Sequence, residues 1–232
     1  MTGRAGGKAL GVLAAMVLAG PGVARPVVPT PAAPAQAAVS PAAQQIDDAE
    51  RAFAQVVAAQ GIAQGFRQFA APDAVMFLPD PTPAPPALAA AHWPGELLWR
   101  ASYIAVAASG DLAFSAGPSL LRAAGKASGG FYVTVWRRQP DGSWKFVLDQ
   151  GADMPPAIWA APPRPLTVLN TESPAGSPSN EGMREADSAL NVALPKGAAA
   201  AFGGRLDDQA ILVRTMRPVA RGRARALALV AD

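Results

Sequence analysis

The chain of 232 residues is half apolar by count, carries 20 lysine and arginine against 17 aspartate and glutamate residues, and has one histidine and no cysteine. The length allows one or two domains, and the alanine share of the apolar residues weakens the core they can build. Two of the positive charges, Arg4 and Lys8, fall in an acid-free leader, so the remainder is close to neutral and does not suit a nucleic-acid binder driven by phosphate neutralisation. Without cysteine there is no disulfide framework or thiolate chemistry. With His92 alone there is no multi-histidine metal site, so neither metal nor cofactor is expected.

The first 24 residues combine a basic start, an apolar run from Ala9 to Ala19 and the small-residue exit Gly22-Val23-Ala24. This is the pattern of a cleaved signal peptide, which places the mature chain in the periplasm or outside the cell. No later segment reaches the roughly 18 uninterrupted apolar residues of a membrane span. Residues 25–43 repeat proline among small residues and read as a semi-extended linker.

From Gln44 the pattern becomes helical: Ile46, Ala49, Phe53 and Val56 or Val57 recur at helical spacing, Gly61 breaks the run, and Ile62, Phe66 and Phe69 resume it. Asp47 and Asp48 are expected in the first turn, where the helix dipole favours acids. Pro72-Asp73 ends the second helix, Val75 to Leu78 reads as a short strand, Pro79 to Pro86 as a loop, and Ala87 to Ala91 as a short third helix. Leu98 to Gly151 reads as an antiparallel meander, with turns at Ser109-Gly110-Asp111 and Pro140-Asp141-Gly142 and a longer loop closed by Gly129-Gly130. Helices followed by such a meander predict an α+β fold, with helices packed on one face of a bent sheet and a pocket between them.

Four segments, AERAFAQVVAAQG at 49–61, PDAVMFLPDP at 72–81, ASGDLAFSAGP at 108–118 and YVTVWRRQPDGSWKFVLDQG at 132–151, resemble the nuclear transport factor 2-like superfamily in its bacterial SnoaL-like branch of domains of unknown function. The resemblance covers residues 44–155. It implies a cone of helices on a strongly curved antiparallel sheet, with a homodimer through the outer sheet face as one possible assembly. Residues 156–183 form a second linker rich in proline, serine and glycine. Residues 184–232 read as a truncated second copy, because 186–213 aligns with 49–77: Gly197 matches Gly61, Phe202 matches Phe66, and Ala210-Ile211-Leu212-Val213 matches Ala74-Val75-Met76-Phe77.

Enzymes of the superfamily, ketosteroid isomerase and polyketide cyclases among them, hold an acid or base inside an apolar cone, and the resemblance points to Asp149 for that role. By strict alternation Lys145, Val147 and Asp149 share one strand face while Trp144, Phe146 and Leu148 share the other. If the aromatic face lies under the helices, Asp149 is a solvated strand end. His92, beside Trp93 and Pro94, is expected near the pocket mouth as a second catalytic candidate or a surface side chain. Asp73 and Asp80 read as turn formers. Trp99, Tyr103, Tyr132 and Trp136 are the expected ligand-lining aromatics, with core packing as their simpler role. Arg214, Arg217, Arg221, Arg223 and Arg225 form the one local charge excess and read as a solvated face.

These features suit an exported domain that binds a small apolar molecule or a partner chain and need not be an enzyme. The alternatives are a cofactor-independent isomerase, cyclase or dehydratase using Asp149, and a non-catalytic dimerisation module.

Overall fold

The computed structural model describes residues 40–169 and 180–231. The expected signal peptide, most of the first linker and the centre of the second lie outside the described residues. Helix α1 (Pro41–Gln60) opens on Ser40, whose hydroxyl accepts the Ala43 N–H at 3.2 Å, with Pro41 preset for a first helical position. The helix therefore begins inside the expected linker. Asp47 and Asp48 fall beyond the first turn, where they meet Arg51 rather than the free amide end.

Gly61, at φ 88°, ends α1 and starts α2 (Ile62–Phe69), a conformation that favours glycine. The two helices cross closely at Gly65, where an added Cβ would stand 2.3 Å from a Val57 methyl and 3.0 Å from its Cα. Strand β1 (Ala70–Phe77) begins directly after α2, so Pro72-Asp73 lies within the strand rather than ending a helix. It is followed by β2 (Pro81–Pro83), α3 (Ala84–Ala90), β3 (Glu96–Trp99) and β4 (Tyr103–Val106). The meander then runs through β5 (Leu112–Ala123), β6 (Lys126–Arg138) and β7 (Trp144–Met154).

The β5–β6 hairpin is longer than the sequence suggests. Its turn is Ala124-Gly125, at φ 49° and 73°, the backbone of a two-residue hairpin whose twist matches the strands. Gly129-Gly130, expected in a loop, lies inside β6. A side chain at Gly129 would strike the carbonyls of Met154 and Pro155, and one at Gly130 would strike Ser119 Oγ, so these glycines permit close approach rather than a turn.

With β8 (Thr167–Val168) at one edge, the sheet order is β2-β1-β7-β6-β5-β4-β8, with β3 also paired to β5. Strand β8 runs parallel to β4 and draws part of the expected second linker into the sheet, after the short helix α4 (Ala157–Ala160). Helices α1 to α3 cover one face. Ile46, Phe53, Val57 and Phe66 meet Ile104, Trp136 and Phe146 there, giving the α+β cone. Burial of each such side chain removes apolar surface worth about 1.5–3 kcal/mol.

The rest of the chain forms α5 (Asn180–Ala193), a 3-10 turn (Leu194–Lys196), α6 (Ala198–Phe202), the pair β9 (Ile211–Leu212) and β10 (Ala220–Arg221), and α7 (Arg223–Ala231). Gly197, at φ 111°, separates helical segments as Gly61 does. Ile211, Val213 and Val219 pack on the outer sheet face against Tyr103, Ala116, Phe131 and Met154. Among the described residues no helix is long and apolar enough to cross a membrane.

Candidate functional site

The side chains of β7 do not alternate strictly. Trp136 of β6 pairs with Phe146 and the preceding Val135 with Leu148, so Val147 is an extra residue with no partner across the ladder. This β-bulge reverses the parity of everything after it. Phe146 before the bulge and Asp149 after it therefore both face the cone. Strict alternation puts them on opposite faces, and the bulge is the reason that rule fails here.

Asp149 pairs across the sheet with Thr134, whose hydroxyl donates to Asp149 Oδ2 at 2.6 Å. Burial raises the Asp149 carboxyl from 3.8 to about 6, an effect the Thr134 hydrogen bond partly offsets. The carboxyl lies in the wall of an inner cavity of about 180 Å3 bounded by Phe53, Phe66, Leu97, Trp99 and Tyr132. A wider apolar recess of about 570 Å3, reaching Met76, Trp93 and Leu121, shares Phe66, Leu97, Ser119 and Asp149 with it. The Phe53 ring anchors the aromatic wall, with the Phe66 and Phe69 centroids both 4.8 Å away and that of Trp99 at 4.9 Å.

Behind this wall lies a second carboxyl. Glu50 is 4% exposed and sits on the apolar stripe of α1 between Ile46 and Phe53. It accepts a hydrogen bond from Trp99 Nε1 at 2.6 Å and another, very short, from the Ser115 hydroxyl. Ser115 in turn accepts from Trp136 Nε1 at 2.8 Å. Donors thus converge on Glu50 along Trp136, Ser115 and the opposite Trp99. Burial nevertheless dominates and, with the charge of Asp149, lifts the Glu50 carboxyl from 4.5 to about 7.

Between the carboxyls, the Tyr132 hydroxyl is buried and makes no hydrogen bond of ordinary geometry among the described residues, although Glu50 and Ser115 are near enough to act on it. Burial and the charges of Glu50 and Asp149 push its ionisation well above the ordinary 10.0, so it stays a neutral donor.

The other expected site residues divide. Trp99 and Tyr132 line the inner cavity. Trp136 is fully buried beneath it and serves as core and hydrogen-bond donor. Tyr103 faces away from the cone, toward Phe131 and the C-terminal segment. Its parity also fails at an irregularity: Trp99 pairs with Ser119 and Tyr103 with Ala116, so four steps on one side face three on β5. His92 is exposed after α3 and lines neither cone cavity, although its neighbour Trp93 does. Asp73 is exposed and forked by Arg137 at 3.0 and 2.5 Å, which holds its carboxyl below the ordinary 3.8. Asp80 uses its carbonyl to accept from Leu78 N–H and the Thr82 hydroxyl in a turn.

Sequence reasoning missed Glu50 altogether. The available signal was an acid on the helical stripe formed by Ile46, Phe53 and Val57, where a solvated carboxylate does not belong. Among the described residues no group of three His, Cys, Asp or Glu side chains could hold one metal ion.

No protein-family model matches the chain, and no curated protein does. Among solved structures it is similar to an NTF-2 like protein of unknown function from Shewanella oneidensis, with 16% identity over 47% of this chain and 98% of that one and a TM-score of 0.41. A ketosteroid isomerase-like protein from Erwinia carotovora atroseptica shares 13% identity over 47% of this chain and 94% of that one, TM-score 0.39. A conserved protein from Planctomyces limnophilus shares 14% over 47% and 95%, TM-score 0.37.

Proposed function

We propose that the cone binds a small, mainly apolar molecule carrying a carbonyl group, and that Asp149 moves a proton at the carbon beside that carbonyl. The observation that carries this reading is the placement of the Asp149 carboxyl on an aromatic-walled cavity that Tyr132 also lines. Above about pH 6 Asp149 is ionised and can take the proton, while Thr134 holds its Oδ2 in place. The electron pair released from the C–H bond moves onto the carbonyl oxygen, where the Tyr132 hydroxyl can donate to the developing charge. Return of the proton from Asp149 to the same or a conjugated carbon completes the exchange without a cofactor.

Pairing of two chains through the outer sheet face is less favoured, because Ile211, Val213 and Val219 of the same chain lie on it. Export remains part of the proposal on the strength of the basic start, the apolar run and the Ala24 exit.

The test is hydrogen–deuterium exchange at the carbon next to the carbonyl, in a panel of small cyclic and aromatic ketones followed by mass spectrometry. Asp149→Asn is expected to slow exchange by roughly 100-fold or more for any ketone the wild type accepts. Equal exchange by wild type and Asp149→Asn, or none by the wild type with any ketone that native mass spectrometry shows to bind, removes the proton-transfer step.

A further inference from the structure

A second cavity, on the opposite side of the sheet from the cone, has a different chemical character. It lies where Pro218 and Val219 of the C-terminal segment cross the outer face beside α4, and it encloses about 280 Å3. Its floor is apolar, made chiefly by Tyr103, Pro118, Phe131 and Ile158, and Arg100 and Arg164 stand in its wall. No carboxylate lines it.

Arg100 and Arg221 are held by aromatic rings, and Arg100 also by carbonyls, rather than by acids. The Arg100 guanidinium stacks 4.2 Å from the Trp159 ring centroid, and one of its nitrogens donates to the carbonyls of Trp159 at 3.1 Å and Ala161 at 3.0 Å. Its other N–H groups make no hydrogen bond among the described residues. Arg221 of β10 lies 4.7 Å above the ring of Tyr103, the residue that forms the cavity floor. Among the described residues none of Arg100, Arg164 or Arg221 is in an ion pair, whereas Arg51, Arg122, Arg137 and Arg223 each have a carboxylate partner. A guanidinium stays charged at any ordinary pH and presents donors in a planar fork that matches a carboxylate.

We propose that this cavity is a binding site for a small organic carboxylate with an apolar body. The body rests on Tyr103, Phe131 and Ile158, and the carboxylate meets Arg164 and the free donors of Arg100, with Arg221 adding charge at the rim. The volume lies near the lower end of small-molecule sites, roughly 300–1,000 Å3, and suits a single small anion rather than a peptide or polymer. Closure of the site depends on the C-terminal segment, so this role goes beyond the cone and gives that segment a function of its own.

The test is calorimetric binding to the full-length chain with three probes: octanoate, its neutral counterpart octanamide, and inorganic phosphate. Octanoate is expected to bind at least tenfold more tightly than either of the others, and to weaken severalfold as added salt screens the arginines. The double variant R164Q/R221Q changes two exposed side chains and leaves the Arg100 contacts intact. It is expected to weaken octanoate roughly tenfold while leaving octanamide unchanged. Val219→Trp, which fills the cavity, should abolish octanoate binding with the melting temperature retained.

Equal affinity for octanoate and octanamide overturns the proposal, as does octanoate binding that survives both variants. Loss of octanoate binding in Asp149→Asn would place the anion in the cone and also overturn it. Unchanged octanoate binding in that variant alongside lost ketone exchange separates the two sites, so failure of either reading is visible without the other.

Discussion

Glu50→Gln should make the protein more stable at alkaline pH and less stable at acid pH, because the two states of Glu50 are held by opposing forces. Raising its carboxyl from 4.5 to about 7 disfavours the ionised form in the folded chain by about 3 kcal/mol. A neutral amide removes that penalty above pH 8. It also brings two N–H donors to a place where Trp99 and the Ser115 hydroxyl both donate; Ser115, which accepts from Trp136, can accept one of them on its second lone pair, but its own hydroxyl hydrogen then loses its acceptor. One donor is left unsatisfied, at a cost of about 1–1.5 kcal/mol.

The expected net effect at pH 8.5 is a gain of about 2 kcal/mol, or roughly 4–8 °C in melting temperature for a chain of this size. At pH 4 the carboxyl is protonated in both folded and unfolded chains, the penalty is absent, and the variant should be about 1 kcal/mol less stable than wild type. Urea titrations of both proteins at half-unit pH steps from 4 to 8.5 would read the crossing directly. For the wild type the sign is fixed in advance: with folded values raised for both Glu50 and Asp149, their contribution to stability is complete below about pH 4. It is lost as pH rises through about 6 and about 7. A constant offset between the proteins at every pH would refute the reasoning, since it would mean Glu50 does not titrate in this range.

Two further expectations concern the backbone that builds the site. Deleting Val147 removes the bulge but leaves Phe146, Leu148 and Asp149 opposite Trp136, Val135 and Thr134, so Asp149 should stay in the cone with its carboxyl still near 6. A carboxyl-carbon NMR titration would show this, and a value fallen toward 3.8 would mean that Val147 is not the residue the ladder skips. Gly65→Ala should destabilise by about 1–3 kcal/mol although alanine is the better helix former. The new methyl collides with Val57 across the α1–α2 contact, and thermal melting that shows a gain instead would mean that the helices can separate freely.

Local signals in the sequence accounted for much of the element order. The helical stripe from Ile46 to Phe69 and its break at Gly61 were legible because helical periodicity and a glycine with positive φ are both local properties. The turns around Ser109-Gly110-Asp111 and Pro140-Asp141-Gly142 were legible for the same reason, and each lies between two paired strands. Gly129-Gly130 misled because glycine serves two purposes. One is turning, which its neighbours in sequence reveal; the other is close approach, which depends on the carbonyls of Met154 and Pro155 more than twenty residues away.

The aromatic residues of the cone and the candidacy of Asp149 came from the sequence, whereas the assembly of the site was decided by tertiary structure. Period-two alternation holds only while the ladder is regular, and one extra residue at Val147 turned Asp149 into the cone, while another irregularity between Trp99 and Tyr103 turned Tyr103 out of it. Glu50 became visible only when α1 closed over the sheet and brought Trp99, Ser115 and Trp136 to it from strands 49 and more residues distant. Likewise, the C-terminal arginines read as a solvated face, until packing of that segment on the outer sheet set Arg221 over Tyr103 and enclosed a basic cavity beside it. Near neighbours and residue type made most helices, turns and the Asp149 candidate legible in the chain, though not the buried Glu50 or the close-approach role of Gly129-Gly130. Which side chains share a cavity was decided by strand register, bulges and long-range packing, whose energies come from residues far apart in the chain.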